Sequence, residues 1–244
     1  MFDRCPTSFK LQYIDHVSQD ENAFAQYGTF AHSLLEQYAK DELPDFLLAS
    51  AWEEGYDDAV TRPFPPFPKG LNEKYYQQGL QYFESFSGFG EQYEVLSAEE
   101  KFELNIGGNL FVGIADLILR DKNTNEITVV DHKSKSVATM KKDLPSYRKQ
   151  LYIYAAHVKE KYGVYPKYLK FNLFRENDWV TEEFDEAMFK EVMDWVVDTI
   201  EKIKNEKEWK VCSSSYFCRF ICGVLNDCPA REAILYSPKK EKEE

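Results

Sequence analysis

The chain has no uninterrupted apolar run near the roughly 20 residues needed to cross a bilayer. Its opening, "MFDRCPTSFKLQYID", is broken by polar residues too often to hold the apolar core of a secretion signal. A soluble, cytoplasmic protein is the expectation. Positive charge is also short: 30 Lys and Arg against 42 Asp and Glu leave a formal net charge of -12. That balance argues against a broadly basic nucleic-acid coat, although a local basic groove can lie under an acidic total. No internal repeat is visible, and no cysteine occurs between Cys5 and Cys212.

The remaining cysteines crowd together, with Cys212, Cys218, Cys222 and Cys228 falling within seventeen residues. In a chain with no export signal, such clustering reads as metal binding more readily than as disulfides. Buried or incidental thiols are the plainer alternative. At 244 residues, 43% hydrophobic and 16% aromatic, the composition is globular and can bury a sizeable core. One domain spanning 1–244 is expected, with a solvated charged tail at 237–244.

Hydrophobic spacing outlines the elements. Residues 21 to 40 place Tyr27, Phe30, Ala31, Leu34, Leu35 and Tyr38 at helical intervals, with His32 and Glu36 sharing a neighbouring face. "TRPFPPFPKG" carries four prolines and must be a surface loop, and "LNEKYYQQGLQYFESF" suits a second helix. From about residue 93 the period becomes two. "EKFELNIGGNLFVGIADLILRDKNTNEITVVDHK" reads as three strands turning at "IGGN" and "DKNTNE", an antiparallel meander. A helix follows over "LPSYRKQLYIYAAHVKEKYG", with Pro145 in its first turn and Gly163 at its C-terminal cap. A strand in "KYLKFNLFR" and a long amphipathic helix in "EAMFKEVMDWVVDTIEKIKN" complete the order α, βββ, α, β, α. The expected fold is α/β, a mixed central sheet flanked by helices.

The third strand ends unusually, in "VVDHKSKS". Alternation puts Asp131 and Lys133 on one face and His132 on the other. A near-symmetric hairpin register would bring Asp116, in "GIADLILRD", beside Asp131. Two close carboxylates repel unless a cation lies between them, and oxygen ligands suit Mg²⁺ or Mn²⁺. A neighbouring lysine can then orient a water or offset charge developing on a phosphate. From this local spacing alone, a surface ion pair at a strand end is the competing reading.

Taken in order, "GTFAH" with His32, "GIAD" with Asp116, "VVDHK" with Asp131 and Lys133, and "QLYIY" with Gln150 and Tyr154 resemble the active-site motifs of the PD-(D/E)xK nuclease superfamily. The nearest likeness is to its RecB-type branch, which includes CRISPR-associated RecB-like exonucleases and the nuclease domain of AddB. The resemblance runs from about residue 3 to 229 and implies a restriction-endonuclease-like fold. It also implies a metal held by His32, Asp116, Asp131 and the carbonyl of His132, with Lys133 beside it and Gln150 and Tyr154 placing the lysine and the DNA backbone.

Iron-sulfur members of that branch take one cluster ligand near the N-terminus and three near the C-terminus, commonly spaced C-x2-C-x5-C. Cys5, Cys218, Cys222 and Cys228 match that set in a C-x3-C-x5-C form. The one-residue departure leaves room for Cys212 to replace a member, and four thiolates can hold either a [4Fe-4S] cluster or zinc. The resemblance favours the iron-sulfur cluster, clamping segments of about 1–15 and 208–230 together.

The function implied is a metal-dependent DNA exonuclease acting in recombination, repair or processing, on DNA with a free end or a single strand. Arg148, Lys149, Arg175 and Arg219, with exposed tyrosines, are candidate DNA contacts, and each is equally readable as a solvated surface charge. Two other functions fit some of the features: a non-catalytic nucleic-acid-binding or assembly subunit retaining fold and cluster, and a zinc-stabilised interaction module. Glu99, Glu100 and Glu103 precede the first acidic motif and are expected to be solvated strand carboxylates.

Overall fold

The computed structural model describes residues 1–212 and 214–236; the expected charged tail at 237–244 lies outside them. The period-two region forms the three strands β1 (Tyr93–Ile106), β2 (Asn109–Asp121) and β3 (Ile127–His132). They pair antiparallel in sequence order, as a meander. Helix α5 (Val137–Tyr162) then carries the chain over to β4 (Tyr168–Leu173), which pairs parallel with β3, and β5 (Asp178–Glu183) adds an antiparallel edge. The result is one mixed five-stranded sheet in the order β1-β2-β3-β4-β5, flanked by helices in a restriction-endonuclease-like arrangement.

Every residue of β3 is buried, which requires cover on both faces. On one face Ile127 and Val129 pack with Leu151, Ala155 and Val158 of α5 and with Val192 and Val196 of α6 (Glu186–Asn205). On the other, Val130 packs with Leu117 and Leu119 toward Ala39 and Phe89. Ala39 ends α2 (Ala23–Ala39), which with α3 (Asp45–Ala59) and α4 (Leu71–Ser85) builds a separate aromatic core around Tyr27, Trp52, Tyr56, Tyr82 and Phe83.

One expected helix starts elsewhere, and a helix and a strand are additional. Helix α5 begins at Val137, seven residues before Leu144, because Ser136 Oγ accepts the Thr139 N–H and caps it there. Pro145 therefore sits inside the helix and not in its first turn. Gly163 does end it, in the left-handed conformation that glycine adopts at least cost. Helix α3 and strand β5 are additional to the expected order. α3 buries Leu48, Trp52 and Tyr56 at four-residue intervals.

The two ends of the chain meet beside this core. Helix α1 (Pro6–Phe9) runs into a short π-helical turn, and α7 (Ser215–Phe220) and α8 (Arg231–Tyr236) lie at the other end. The Thr7 N–H donates to the Lys210 carbonyl at 3.2 Å, and the Asp20 N–H to that of Gly223 at 2.7 Å. The Asn22 side chain donates to the Ile221 carbonyl at 3.1 Å. Among the described residues no helix is long and apolar enough to cross a membrane.

The aromatic core sets a sharp steric demand. Trp52 is wholly buried, stacks on Phe30 at 5.1 Å and donates its indole N–H to the Tyr76 carbonyl at 3.1 Å. A Cβ added at Gly79 would fall 2.1 Å from that indole. Helix propensity favours Gly79→Ala by about 1 kcal/mol, while overpacking a fixed ring costs about 1–3 kcal/mol. The clash should win, so Gly79→Ala is expected to lower the thermal unfolding midpoint, measured by circular dichroism.

Candidate active site

Strand pairing between β2 and β3 ends at Leu117 and Val130, so Asp116 and Asp131 are the next residues across the ladder. They remain close, because the His132 N–H donates to Asp116 Oδ2 at 2.8 Å. Asp131 is wholly buried and Asp116 is 8% exposed. Lys133 continues the β3–β4 ladder through its N–H to the Asn172 carbonyl at 2.8 Å, which turns its side chain back onto Asp131. Its Nζ lies 2.6 Å from Asp131 Oδ2 and donates to Gln150 Oε1 at 3.1 Å. Gln150 Nε2 donates to the Tyr154 hydroxyl at 2.5 Å, and that hydroxyl donates back to Asp116 Oδ1 at 3.5 Å. One turn of α5 thus links the lysine on one carboxylate to the other carboxylate.

Helix α2 closes the site from the other side. His32 Nδ1 stands 3.0 Å from Glu99 Oε1 and 3.7 Å from Asp116 Oδ2, and Nε2 stands 3.0 Å from the His132 carbonyl. Both ring nitrogens therefore face acceptors, which only the doubly protonated ring can satisfy. Burial alone would lower the His32 pKa; the Glu99 hydrogen bond and the charges of Asp116, Glu99 and Asp131 outweigh it and raise it. The His132 ring points the opposite way, as strand alternation requires. Asn172 Nδ2 bridges it, donating to His132 Nδ1 at 3.0 Å and to the Tyr82 hydroxyl at 2.7 Å. Complete burial keeps His132 neutral, its pKa well below the usual value, with the charges of His32 and Lys133 acting in the same direction.

The carboxylates carry the electrostatic strain. Burial, then the charge of Asp131, pushes Asp116 up to about 7. For Lys133, burial works toward the neutral amine, but the charges of Asp131 and Asp116 prevail and raise its pKa. Asp131 Oδ1 is buried without a hydrogen-bond partner among the described residues. His32, Glu99 and Asp116 each offer a ligand atom within 4.8 Å of the others. An orphaned carboxylate oxygen, a second carboxylate that ionises reluctantly, and hard oxygen donors joined by one imidazole together fit a divalent cation such as Mg²⁺ or Mn²⁺.

Glu99 is the residue that spacing did not single out. It adopts φ 48° within β1, between the Ala98–Leu117 and Glu100–Ala115 pairs. This left-handed conformation is rare for a non-glycine residue and concentrates at functional sites. Glu100 instead pairs with Lys161 at 2.5 Å, and Glu103 is exposed.

The four cations expected at DNA diverge. Arg148 pairs with Glu182 at 2.6 Å, and Arg219 donates to the carbonyls of Ile234 and Leu235 at the end of α8. Arg175 donates to the Tyr75 hydroxyl at 2.5 Å. Lys149 lies over the Trp195 ring, 3.8 Å from its centroid, and lines a cleft of about 750 Å³ together with Asp116, Gln150 and Tyr154.

The cysteines gather where the termini meet. Cys5 Sγ accepts the Ser8 N–H at 3.4 Å, Ser8 Oγ lies 3.7 Å from Cys222 Sγ, and Cys212 Sγ lies 3.3 Å from Cys218 Sγ. Burial, then Cys212, Cys222 and Cys5, pushes the Cys218 thiol up to about 12. Burial and the same neighbours raise Cys228 against the effect of a main-chain hydrogen bond. Cys212 thus belongs to the sulfur group, and the ligand set among the five stays open. Among the described residues, no three of the sulfurs lie mutually within 4.8 Å.

The comparisons with known proteins agree with this geometry at the level of the family. Among curated proteins there is no match to this chain. A solved structure titled "Crystal structure of SSO0001" aligns with 18% identity over 92% of this chain and 95% of that one, at a TM-score of 0.35, too low to carry an argument. The model of the PD-(D/E)XK nuclease superfamily, in contrast, matches residues 1–232, and the chain belongs to that superfamily.

Proposed function

We propose that this protein is a metal-dependent DNA exonuclease of the RecB-like branch, working in recombination, repair or processing, with a cysteine-held iron-sulfur cluster joining its ends. The observation that carries the hydrolytic reading is the convergence of buried Asp116 and Asp131 with Lys133, which Asp131 and Gln150 hold in place. His32, Asp116, Asp131 and the His132 carbonyl would hold Mg²⁺ or Mn²⁺, with Glu99 as a further carboxylate. When bound, the ion supplies Lewis acidity and a more acidic water.

The chain's own groups do the rest. Lys133, kept charged by the two aspartates, orients the attacking water and offsets negative charge at the phosphate. Gln150 fixes its ammonium, and Tyr154 ties Gln150 to Asp116, so a shift of the lysine is resisted from α5. To serve as a ligand His32 would have to release its second ring proton to solvent, since only the neutral imidazole offers a lone pair.

The iron-sulfur assignment over zinc rests on the resemblance of the cysteine spacing to iron-sulfur members of the branch, and the gathering of the cysteines where the termini meet is compatible with it. Protein isolated without oxygen should contain iron and acid-labile sulfide, and Cys5→Ser or Cys218→Ser should lose visible colour and thermal stability together. Stoichiometric zinc without iron would contradict the assignment.

The hydrolytic site makes two further predictions. Asp131→Ala and Lys133→Ala should each lower cleavage of end-labelled DNA in Mn²⁺ to below about a thousandth of wild type, with the circular dichroism spectrum unchanged. Full activity in Asp131→Ala would refute the assignment. Folded wild type that binds DNA without cutting it in Mn²⁺ or Mg²⁺ would favour the binding-subunit reading.

Linkage gives the second prediction. Asp116 moves from 3.8 to about 7 on folding, so its burial destabilises the metal-free protein increasingly as pH rises from about 4 through 7. In EDTA, Asp116→Asn should therefore gain stability relative to wild type between pH 5 and pH 8. Because Mn²⁺ competes with both the Asp116 proton and the second His32 proton, its apparent affinity in the wild type should fall by more than about tenfold per unit below pH 7, measured by calorimetry.

A further inference from the structure

Glu99 stands opposite Asp116 in the sheet. β1 and β2 pair Ala98 with Leu117 and Glu100 with Ala115, so the register puts the two acids across the ladder from each other, where like charges repel. Glu99 leaves that ladder by its left-handed φ of 48°, and its carboxylate reaches His32 Nδ1 at 3.0 Å. A non-glycine residue keeps such a conformation only where its surroundings over-determine it. Whatever fixes the residues on either side of Glu99 therefore fixes Glu99.

Ala98 is held by its strand pair and packs with the cluster of Leu117, Leu119 and Val130. Glu100 is held both by its strand pair and through its side chain. Glu100 Oε1 lies 2.5 Å from Lys161 Nζ and 3.7 Å from His157 Nε2. His157 is itself fixed, being 7% exposed with its ring stacked on Phe102 at 4.5 Å. Glu100 and Phe102 share a face of β1 by alternation, so α5 grips the strand at two successive positions of that face. The same helix holds Lys133 and Asp116 through Gln150 and Tyr154. Partly exposed ion pairs such as Lys161–Glu100 contribute little to global stability; the place of this one, beside the strained residue, is what gives it a role.

We propose that Glu100, His157 and Lys161 are positioning residues for the metal site: they lock β1 so that Glu99 keeps its left-handed turn, with its carboxylate beside His32 and Asp116 where a divalent cation would bind. The inference rests on the metal-dependent reading and adds the residues that hold its further carboxylate in place. All three act through Glu99.

The test is calorimetric titration with Mn²⁺ at one pH above 7, where Asp116 is ionised, on wild type, Lys161→Met, Lys161→Arg, Glu99→Gln and the double variant Glu99→Gln, Lys161→Met. Lys161→Met should weaken binding about tenfold, the low end for residues that orient a metal ligand from behind, with the unfolding midpoint unchanged. Removing a positive charge near a cation site would by itself strengthen binding, so a loss reports positioning and not charge. Lys161→Arg still reaches Glu100 and should bind as wild type does. In the double variant the loss should be no greater than in Glu99→Gln alone, because without that carboxylate the clamp has nothing to position. Unchanged or tighter binding in Lys161→Met would overturn the inference, as would losses that multiply in the double variant. Asp131→Ala, titrated alongside, separates the two failures. Wild type that binds Mn²⁺, with binding lost in Asp131→Ala and unaffected in Lys161→Met, removes only the clamp, whereas wild type that binds no Mn²⁺ removes the metal site beneath it.

Discussion

Two carboxylates that burial would rather keep neutral stand at the centre of this molecule. Asp116 and Asp131 face each other one step past the last paired residues of β2 and β3, with Asp131 wholly out of water. Their repulsion is answered by three positive or hydrogen-donating groups from two elements: Lys133 and the His132 N–H from the end of β3, and His32 from α2. A protein that needed only stability would place apolar residues there, because buried charge costs more than it returns unless fully paired. Retaining both acids makes sense if a cation is to be bound where the histidine and lysine now supply the charge.

The remainder of the fold serves that arrangement. β3 is paired on both edges, with β2 and β4, and covered on both faces, which fixes the tip that delivers Asp131 and Lys133. Asn172 of β4 hydrogen-bonds the buried His132 ring on the far face, and the His132 carbonyl faces His32. α5 brings Gln150 and Tyr154 across the lysine and Asp116. The meeting of the termini, by main-chain hydrogen bonds and a group of sulfurs, builds a wall of the same cleft through Arg4 and Phe217. The cysteine site and the acidic site are thus structurally adjacent, although their chemistry is separate.

The sequence was most legible where local patterns dominate. The alternation in β1 to β3, with glycine-rich and Asn/Asp-rich turns, leaves little choice of pairing, and the period of two alone puts Asp131 and Lys133 together. The helical spacing of Glu186–Asn205 was equally clear. The start of α5 was not, because Pro145 resembles a first-turn proline while Ser136, the actual cap, precedes an unremarkable stretch. β5 is short and mostly polar, and it gains its place by pairing with β4 and packing Val180 against the core. Glu99 depends on a positive φ that no side-chain pattern announces. Arg148 and Arg219 find their partners far away in sequence, at Glu182 and at the carbonyls ending α8, so their basic character did not identify them as free cations.

The central claim is that Asp116 and Asp131 share a divalent cation, and the most direct measurement is the anomalous scattering of a crystal grown with Mn²⁺. The account predicts a manganese peak bounded by both carboxylates and the His132 carbonyl, with the His32 ring turned onto the ion and Lys133 beside it. A map with no peak there, the His32 ring still bridging Glu99 and the His132 carbonyl, would contradict it.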